Sequence, residues 1–188
     1  MGAMRRDATA TRQRILTEAI AEFARYGIAG ARVDRIAAAA RCNKAMIYAY
    51  FTSKDELFNA VFAAVVIRNV DDVPIDVDDL PGYAASLSDQ YRRYPEVGRI
   101  AAWDRLERGG EGIRNPTIVA ANRDKVEAVR QAQAAGRIAN HYPPEVLLEV
   151  LFAIAAASFD GVAPDTEPPD PDQRRQLIRD TISRLIKP

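Results

Sequence analysis

The sequence of 188 residues predicts an all-α protein with an N-terminal three-helix domain, containing a helix-turn-helix, and a larger C-terminal helical domain. Three observations support this fold class. Apolar residues recur at helical spacing along most of the chain, no segment has a convincing strand pattern, and clusters of proline or glycine separate the helical segments. We therefore expect two domains, covering residues 1–53 and 54–188.

The N-terminal domain is predicted to contain one long helix followed by two short ones. The long helix covers residues 8–26 and ends at Gly27, a residue type that commonly stops helices. The two short helices lie on either side of a break at residues 41–43, and each keeps its apolar residues at helical spacing. Two short helices joined by about three residues form a helix-turn-helix unit.

The C-terminal domain is predicted to contain six helices. The first begins at a capping-box pattern, in which the Ser53 hydroxyl and the Glu56 carboxylate accept reciprocal backbone N–H bonds. It extends to about residue 69 and is our candidate for the element that couples the two domains. The remaining predicted helices cover residues 83–94, 97–106, 116–135, 143–160 and 172–186, with loops at residues 71–80 and 161–171.

The second short helix of the N-terminal domain carries residue types suited to DNA. In a helix-turn-helix this helix enters the major groove by its N-terminal residues. Lys44 can donate to guanine, whereas Ala45 and Met46 can contact a thymine methyl group. Tyrosine hydroxyls and lysine ammonium groups instead reach phosphate oxygens, which position a protein without reading bases. The predicted phosphate contacts are Tyr48, Tyr50 and Lys54.

The formal net charge of zero conceals an asymmetry between the two ends of the chain. Residues 1–54 carry ten Lys or Arg and four Asp or Glu, a net charge of +6, and the remainder carries a net charge of −6. The positive end is the end with the helix-turn-helix. This separation favours an electrostatic footprint on DNA at the N-terminal domain.

The helix-turn-helix region follows a recognisable pattern. Ile-Ala-x-x-Ala, a short turn, and Lys-x-x-x-Tyr-x-Tyr-Phe-x-x-Lys-x-x-Leu together span residues 36–57. This pattern resembles the N-terminal DNA-binding domain of the TetR family of transcriptional regulators, over about residues 8–62. Two positions depart from it. Val33 replaces a common threonine whose hydroxyl can cap the helix and touch a phosphate, and Arg41 replaces a usual glycine, which costs strain if that backbone is left-handed. Val33 completes the predicted DNA-contact set.

The resemblance implies a function for the whole chain. A TetR-like protein is a homodimeric DNA-binding regulator, and we expect a repressor that leaves a palindromic operator when a small molecule binds its C-terminal domain. The aromatic residues of that domain, with a few polar neighbours, are candidates for a ligand cavity. The predicted ligand-binding residues are Tyr83, Tyr91, Tyr94, Trp103, Asp104, Phe152 and Phe159. Aromatic residues at helical spacing also form ordinary core, so both interpretations stand.

The last two predicted helices carry broad apolar faces. Two such helices can pack against the same pair in a second copy, giving a four-helix interface, or can be buried within their own subunit. The resemblance favours the dimer, because TetR-like regulators dimerise through their last two helices. The predicted interface residues are Leu147, Val150, Leu151, Ile154, Leu177, Ile178, Thr181 and Leu185.

Other classes of function have weaker support in the sequence. The single histidine, His141, and the single cysteine, Cys42, lie far apart in the sequence, so we expect no enzyme, metal site or cofactor. Cys42 allows a thiol-based redox sensor as an alternative, although it is equally a small apolar residue between helices. A helical protein-interaction module is the other alternative. No apolar run approaches the ~20 residues that span a bilayer, so we expect a cytoplasmic protein.

Overall fold

The computed structural model describes residues 2–159, 165 and 167–187, with side chains from residue 8 onward. Within these residues the chain forms nine α-helices and no strand, which confirms the all-α prediction. The helices are α1 (Gly2–Gly30), α2 (Val33–Ala39), α3 (Lys44–Phe51), α4 (Lys54–Asp72), α5 (Leu80–Arg93), α6 (Pro95–Arg108), α7 (Pro116–Ala134), α8 (Pro144–Ala155) and α9 (Pro171–Ile186). A 3-10 helix (Glu111–Arg114) separates α6 from α7. In this described part of the chain, no helix is long and apolar enough to cross a membrane.

The helix boundaries follow the proline and glycine signals, with one clear difference. Gly27 has φ 72° and ψ −177°, so it kinks α1 where the sequence predicts a stop, and a further turn follows to Gly30. Helix α8 was expected to reach residue 160 but ends at Ala155. The carbonyls of Ala157 and Ser158 instead accept hydrogen bonds from the Arg174 guanidinium. Residues 161–164 and 166 of the predicted loop at residues 161–171 lie outside the described residues.

The start of α4 corrects the capping-box prediction. The Ser53 hydroxyl accepts a hydrogen bond from the Glu56 backbone N–H at 3.0 Å, as expected of an N-cap. The Ser53 backbone N–H, however, donates to the carbonyl of Phe51 and is not paired with the Glu56 carboxylate. Only half of the box forms, because the preceding turn already uses the second donor.

The chain divides into two compact units. The first contains Met1–Arg68 and Pro95–Ile118, and the second contains Asn69–Tyr94 and Val119–Pro188. The division falls within α4, and α6 belongs to the first unit, where it packs on α1. This grouping by contacts differs from the functional boundary predicted between residues 53 and 54, which stays a prediction.

Each unit has its own apolar core. In the first unit the rings of Phe23 and Phe58 meet edge to face at 5.2 Å between centroids, and both side chains are fully buried. In the second unit α5 packs against α8 and α9. Fully buried residues of that core include Leu80, Leu87, Leu151, Ile178 and Ile182.

Candidate nucleic-acid interface and effector site

Helix α3 is fixed on its inner side and open on its outer side. The Asn43 side chain caps the helix by accepting the Met46 backbone N–H at 2.7 Å. Ile47 and Phe51 are buried in the core of the first unit. The outer face presents Lys44, Ala45, Met46 and Tyr48, and the latter two side chains are 38% and 39% exposed. The structure therefore brings four of the predicted DNA contacts onto one accessible helix face.

The turn before α3 contains a residue with a left-handed backbone, Arg41, which is the conformation in which a residue other than glycine is strained. Arg41 has φ 53°, and the Cys42 backbone N–H donates to the Ala37 carbonyl at 3.0 Å. A left-handed residue at this position closes the end of α2 and satisfies its last carbonyls. For a residue other than glycine that conformation costs about 1 kcal/mol, so the turn is strained.

Lys44 has a partner in the free protein. Its ammonium nitrogen lies 3.1 Å from a carboxylate oxygen of Asp34, and both side chains are well exposed. An exposed pair of this kind contributes at most about 1 kcal/mol. An anion or a hydrogen-bond acceptor can therefore compete for Lys44 at little cost, and Asp34 holds the side chain near the N-terminal end of α3.

The other predicted DNA contacts have structural roles as well. The Lys54 ammonium donates to the Ala29 carbonyl at 3.1 Å, near the end of α1. Tyr50 is half-buried, lies against Phe51 with 6.3 Å between ring centroids, and lines an open depression of about 350 Å³ together with Arg12. Val33 is only 7% exposed. We correct the prediction for Val33, because its side chain is packed inside the unit and does not face a groove in this conformation.

A half-buried carboxylate that was not predicted from the sequence supports the start of α2. Glu22 accepts hydrogen bonds from the Arg32 backbone N–H and the Arg35 guanidinium, both at 2.8 Å. Burial raises the pKa of Glu22, but these hydrogen bonds outweigh it and hold that pKa below its ordinary value. Arg35 also lies over the Tyr26 ring at 4.3 Å. Together these contacts fix the chain between α1 and the helix-turn-helix.

A second missed carboxylate supports the kink in α1. Glu107, on α6, accepts the backbone N–H groups of Ile28 and Ala29 at 3.0 and 2.7 Å. These donors follow the kink at Gly27 and have lost their helical partners. The residues are 78 and 79 positions apart, so no local pattern signals the contact. Glu107 attaches α6 to the end of the helix that supports α2 and α3.

Comparison with known proteins places this geometry in a family. The model for bacterial regulatory proteins of the tetR family matches residues 15–61, and the tetracyclin repressor-like C-terminal domain model matches residues 79–184. The chain belongs to the TetR family. It is therefore a DNA-binding transcriptional regulator, in keeping with the function that the α3 face suggests.

Two curated relatives and one solved structure illustrate the TetR-family match. The chain is 43% identical over 155 residues to the HTH-type transcriptional repressor SCO4008 of Streptomyces coelicolor, covering 80% of this chain and 79% of that protein. It is 26% identical over 163 residues to the repressor NicS of Pseudomonas putida, covering 83% and 77%. The crystal structure of the regulator SCO4942 from Streptomyces coelicolor matches with a TM-score of 0.79 and 34% identity, covering 94% and 98% of the two chains.

Two residues of the predicted ligand set have local roles in the first unit of this TetR-family chain. The Trp103 indole N–H donates to the Ala24 carbonyl at 3.4 Å. Asp104 is 2% exposed and accepts the Gly112 backbone N–H through both carboxylate oxygens, at 3.0 and 2.9 Å. Trp103 and Asp104 belong to the first unit, where their polar atoms have these partners, and their role in ligand binding stays a prediction.

The remaining members of the predicted ligand set belong to the second unit. Tyr94 is half-buried, and the Arg93 guanidinium lies 5.6 Å from its ring. Phe159 is 41% exposed, with the Arg174 guanidinium 5.2 Å from its ring. Neither residue is part of the apolar core cluster of this unit, unlike Tyr83, Tyr91 and Phe152.

Buried polar groups mark the interior of the second unit. Tyr83 is 4% exposed, and within the described residues its hydroxyl has no hydrogen-bond partner; the same is true of the side-chain oxygen of Asn69. Burial raises the pKa of Tyr83 well above its ordinary value, and Tyr91 adds to the rise. Burial also raises the pKa of Tyr91, opposed by a hydrogen bond with Asn69. Unpaired buried polar groups are rare in folded proteins and call for an explanation.

A buried lysine lies in the same unit and was not singled out from the sequence. Lys125, on α7, is 7% exposed, and its ammonium nitrogen lies 5.4 Å from the centroid of the Phe152 ring. In the described part of the chain, it makes no hydrogen bond and no ion pair. Burial lowers the pKa of Lys125. A cation–π contact contributes about 0.5–2 kcal/mol, whereas desolvating an unpaired ion costs several kcal/mol, so the ring alone does not compensate the charge.

The faces of α8 and α9 divide the predicted dimer residues into two groups. Leu147, Leu151 and Ile178 are buried in the core of their own unit, so those three predictions are corrected: their side chains are not available to a second copy. The accessible group consists of Val150, Ile154, Leu177, Thr181 and Leu185, to which the structure adds Val146. Leu177 is 47% exposed, and Val146 and Val150 are 41% and 38% exposed, so α8 and α9 both present apolar side chains at the surface of the unit.

The environment of Cys42 does not favour a redox sensor. The thiol is half-buried in the turn between α2 and α3. Burial raises the pKa of Cys42, and the nearby positive charge of Arg14 opposes this only in part. Reactive cysteines have lowered pKa values because the thiolate is the reactive form. Cys42 therefore fits the alternative of a small apolar residue packed between helices.

Proposed function

We propose that this TetR-family regulator is a homodimeric repressor that leaves its operator when a small molecule binds in the second unit. The observation that carries the proposal is the outer face of α3. Lys44, Ala45, Met46 and Tyr48 are exposed there on a helix whose opposite side is fully packed and whose start is capped by Asn43. Such preorganisation is what reading a major groove requires.

The α3 face divides into base-reading and phosphate-contacting residues. Lys44, Ala45 and Met46 occupy the N-terminal turn of α3, which enters the groove in helix-turn-helix proteins. We assign base contacts to them, and phosphate contacts to the Tyr48 hydroxyl and, with smaller shares, to Tyr50 and Lys54. The shares are smaller because Tyr50 is half-buried and Lys54 already binds the Ala29 carbonyl.

A homodimer explains the exposed apolar faces of α8 and α9. Val146, Val150 and Leu177 are all more than a third exposed. A two-fold interface covers the same patch on both protomers. It also places two α3 helices about one helical turn of DNA apart, which matches a palindromic operator. The names of the relatives SCO4008 and NicS, both repressors, favour repression, and such a regulator acts in the cytoplasm where its operator lies.

Release by an effector requires a difference in affinity between two conformers. A ligand that prefers the conformer with low DNA affinity shifts the population toward it, with a coupling of about 1–3 kcal/mol, or roughly five- to 150-fold in operator affinity. Helix α4 is our candidate transmitter, because it runs from Lys54, beside the helix-turn-helix, to Asp72 in the second unit.

The test is operator binding by matched variants. An operator is selected from a random duplex library, and binding is followed by fluorescence anisotropy at two salt concentrations. We expect a steep loss of affinity with salt for the wild-type protein. Lys44→Ala should lose about 1–3 kcal/mol and change its base preference, whereas Tyr48→Phe should weaken binding to all sequences alike.

The control for these variants is Arg123→Ala, which removes an exposed charge on α7. It should bind the operator as the wild-type protein does. If Arg123→Ala and Lys44→Ala lose affinity equally, the α3 face is not the specific contact. If the wild-type protein has no affinity for any duplex at low salt, the proposed function is wrong.

A further inference from the structure

We propose that the effector of this regulator is a small apolar carboxylate whose anionic group pairs with Lys125. This inference rests on the proposed function, because it names the chemical class of the molecule that releases the operator. Three observations lead to it: the burial of Lys125 without an anionic partner, the Phe152 ring beside its ammonium group, and unpaired hydroxyl and amide groups in the same unit.

Lys125 has no carboxylate partner among the described residues. Two exposed cations of the second unit have carboxylate partners, since Arg130 pairs with Glu145 at 2.8 Å and Arg179 pairs with Asp79 at 3.3 Å, and the buried Arg174 donates to two backbone carbonyls. Those pairs are well exposed, where pairing matters least. Lys125, at 7% exposure, has only the Phe152 ring among the described residues. The Lys125 side chain is almost entirely buried, and its ammonium group, which has no anionic partner in the described residues, is available to an anion that the chain does not supply.

The surroundings of Lys125 indicate the rest of the molecule. Phe152 and Val126, the neighbour of Lys125 in the sequence, pack against the same apolar cluster as Tyr91. The body of a ligand held by Lys125 therefore meets aromatic and aliphatic surface. Tyr83 and Asn69 retain a hydroxyl and an amide oxygen with no partner in the described residues. The class of the ligand is defined by the apolar body and the anionic head alone.

A carboxylate fits this site better than a neutral or cationic molecule. A carboxylate forms a charge-assisted hydrogen bond with the Lys125 ammonium group, about twice as strong as a bond between neutral groups. A neutral carboxamide of the same shape keeps the apolar contacts and leaves the ammonium charge uncompensated. A cationic ligand adds a like charge in a desolvated place. Matched carboxylate and carboxamide pairs therefore isolate the contribution of Lys125.

The experiment measures binding of such pairs to the full-length protein. The probes are benzoate with benzamide, naphthoate with naphthamide, and decanoate with decanamide, measured by isothermal titration calorimetry. The variants are Lys125→Met, which removes the charge and keeps an apolar chain of similar length, and Arg123→Met, which removes an exposed charge on the same helix. We expect Lys125→Met to remain folded, because it replaces an uncompensated buried charge with an apolar group.

The expected result is a preference of about tenfold or more for at least one carboxylate over its carboxamide. Lys125→Met should lose that preference, and Arg123→Met should keep it. The preferred carboxylate should release the wild-type protein from its selected operator and leave Lys125→Met bound. If no pair shows the preference, or if Lys125→Met retains it, the inference is overturned. Operator binding without ligand is measured separately, so failure of the proposed function is distinguishable.

Discussion

The two units of the protein differ in how their buried and half-buried polar side chains are paired. In the first unit, carboxylates such as Glu22 and Glu107 accept backbone N–H groups, and Lys54 donates to a backbone carbonyl. In the second unit, Lys125 lacks an anion in the described residues, and Leu177 remains exposed. The proposed DNA-binding face therefore lies in the unit whose described carboxylates and Lys54 are paired, and the proposed effector site lies in the unit that keeps unpaired polar groups.

This difference is consistent with the two tasks of a regulator, which are DNA binding and ligand sensing. A DNA-reading surface must be rigid, because its side chains have to meet base edges at fixed positions. A sensing unit must respond, so its most stable state should depend on what binds to it. In the proposed account, the Tyr83 hydroxyl and the Lys125 ammonium group, which have no hydrogen-bond partner among the described residues, give the second unit that dependence.

The largest expected effect comes from the exposed face of α9. Leu177→Glu places a charge in the proposed two-fold interface, and the symmetry repeats it in both protomers. We expect the dimer to be weakened by at least about 4 kcal/mol, taking about 2 kcal/mol for each copy of a central apolar residue. Sedimentation velocity over a dilution series measures the effect. Ala134→Glu, an exposed substitution on α7, is the control and should remain a dimer. Equal association of both variants would remove Leu177 from the interface.

A smaller effect is expected from the tight packing of the first unit. A Cβ atom at Gly112 would lie 2.9 Å from both the Phe62 ring and an Asp104 carboxylate oxygen. Gly112→Ala should therefore lower the free energy of unfolding by about 2 kcal/mol. A Cβ atom at Gly98, on α6, would meet nothing within 4 Å, so Gly98→Ala should raise that free energy by up to about 1 kcal/mol. Urea denaturation distinguishes the two signs. Equal destabilisation by both substitutions would contradict the close packing around Gly112.

The smallest effect concerns the strained turn before α3. Arg41 has φ 53°, and glycine adopts that conformation without a steric penalty. Arg41→Gly should raise the free energy of unfolding by about 1 kcal/mol, with Arg41→Ala as the reference for loss of the side chain alone. Urea denaturation again provides the measurement. No gain of Arg41→Gly over Arg41→Ala would show that the turn is not strained.

The sequence was sufficient for features that depend on near neighbours. Prolines and glycines set the helix boundaries, and the spacing of Ile36, Ala40 and Phe51 placed the helix-turn-helix. Val33 was misassigned because residue type does not reveal which side of a helix tertiary packing covers.

Contacts between distant positions were invisible to sequence reasoning. Glu107 meets Ile28 across 79 positions, and Lys125 looks like any solvated lysine on an amphipathic helix until its neighbours are known. Burial of charged side chains depends on tertiary packing, which periodicity does not encode. The proposed DNA-binding residues lie on one short helix, α3, and were therefore easier to predict than the proposed effector site, which depends on contacts between helices.

The central claim is that two copies of α3 read the operator from adjacent turns of the major groove. Site-directed DNA cleavage tests it directly: Ala45→Cys, made together with Cys42→Ser, carries an iron chelate at the exposed start of α3. The account predicts two centres of cleavage in the selected operator, about one helical turn apart. The same reagent attached to Arg123→Cys in the Cys42→Ser protein should give neither centre. A single centre, or cleavage spread evenly along the duplex by the Ala45→Cys protein, would contradict the account.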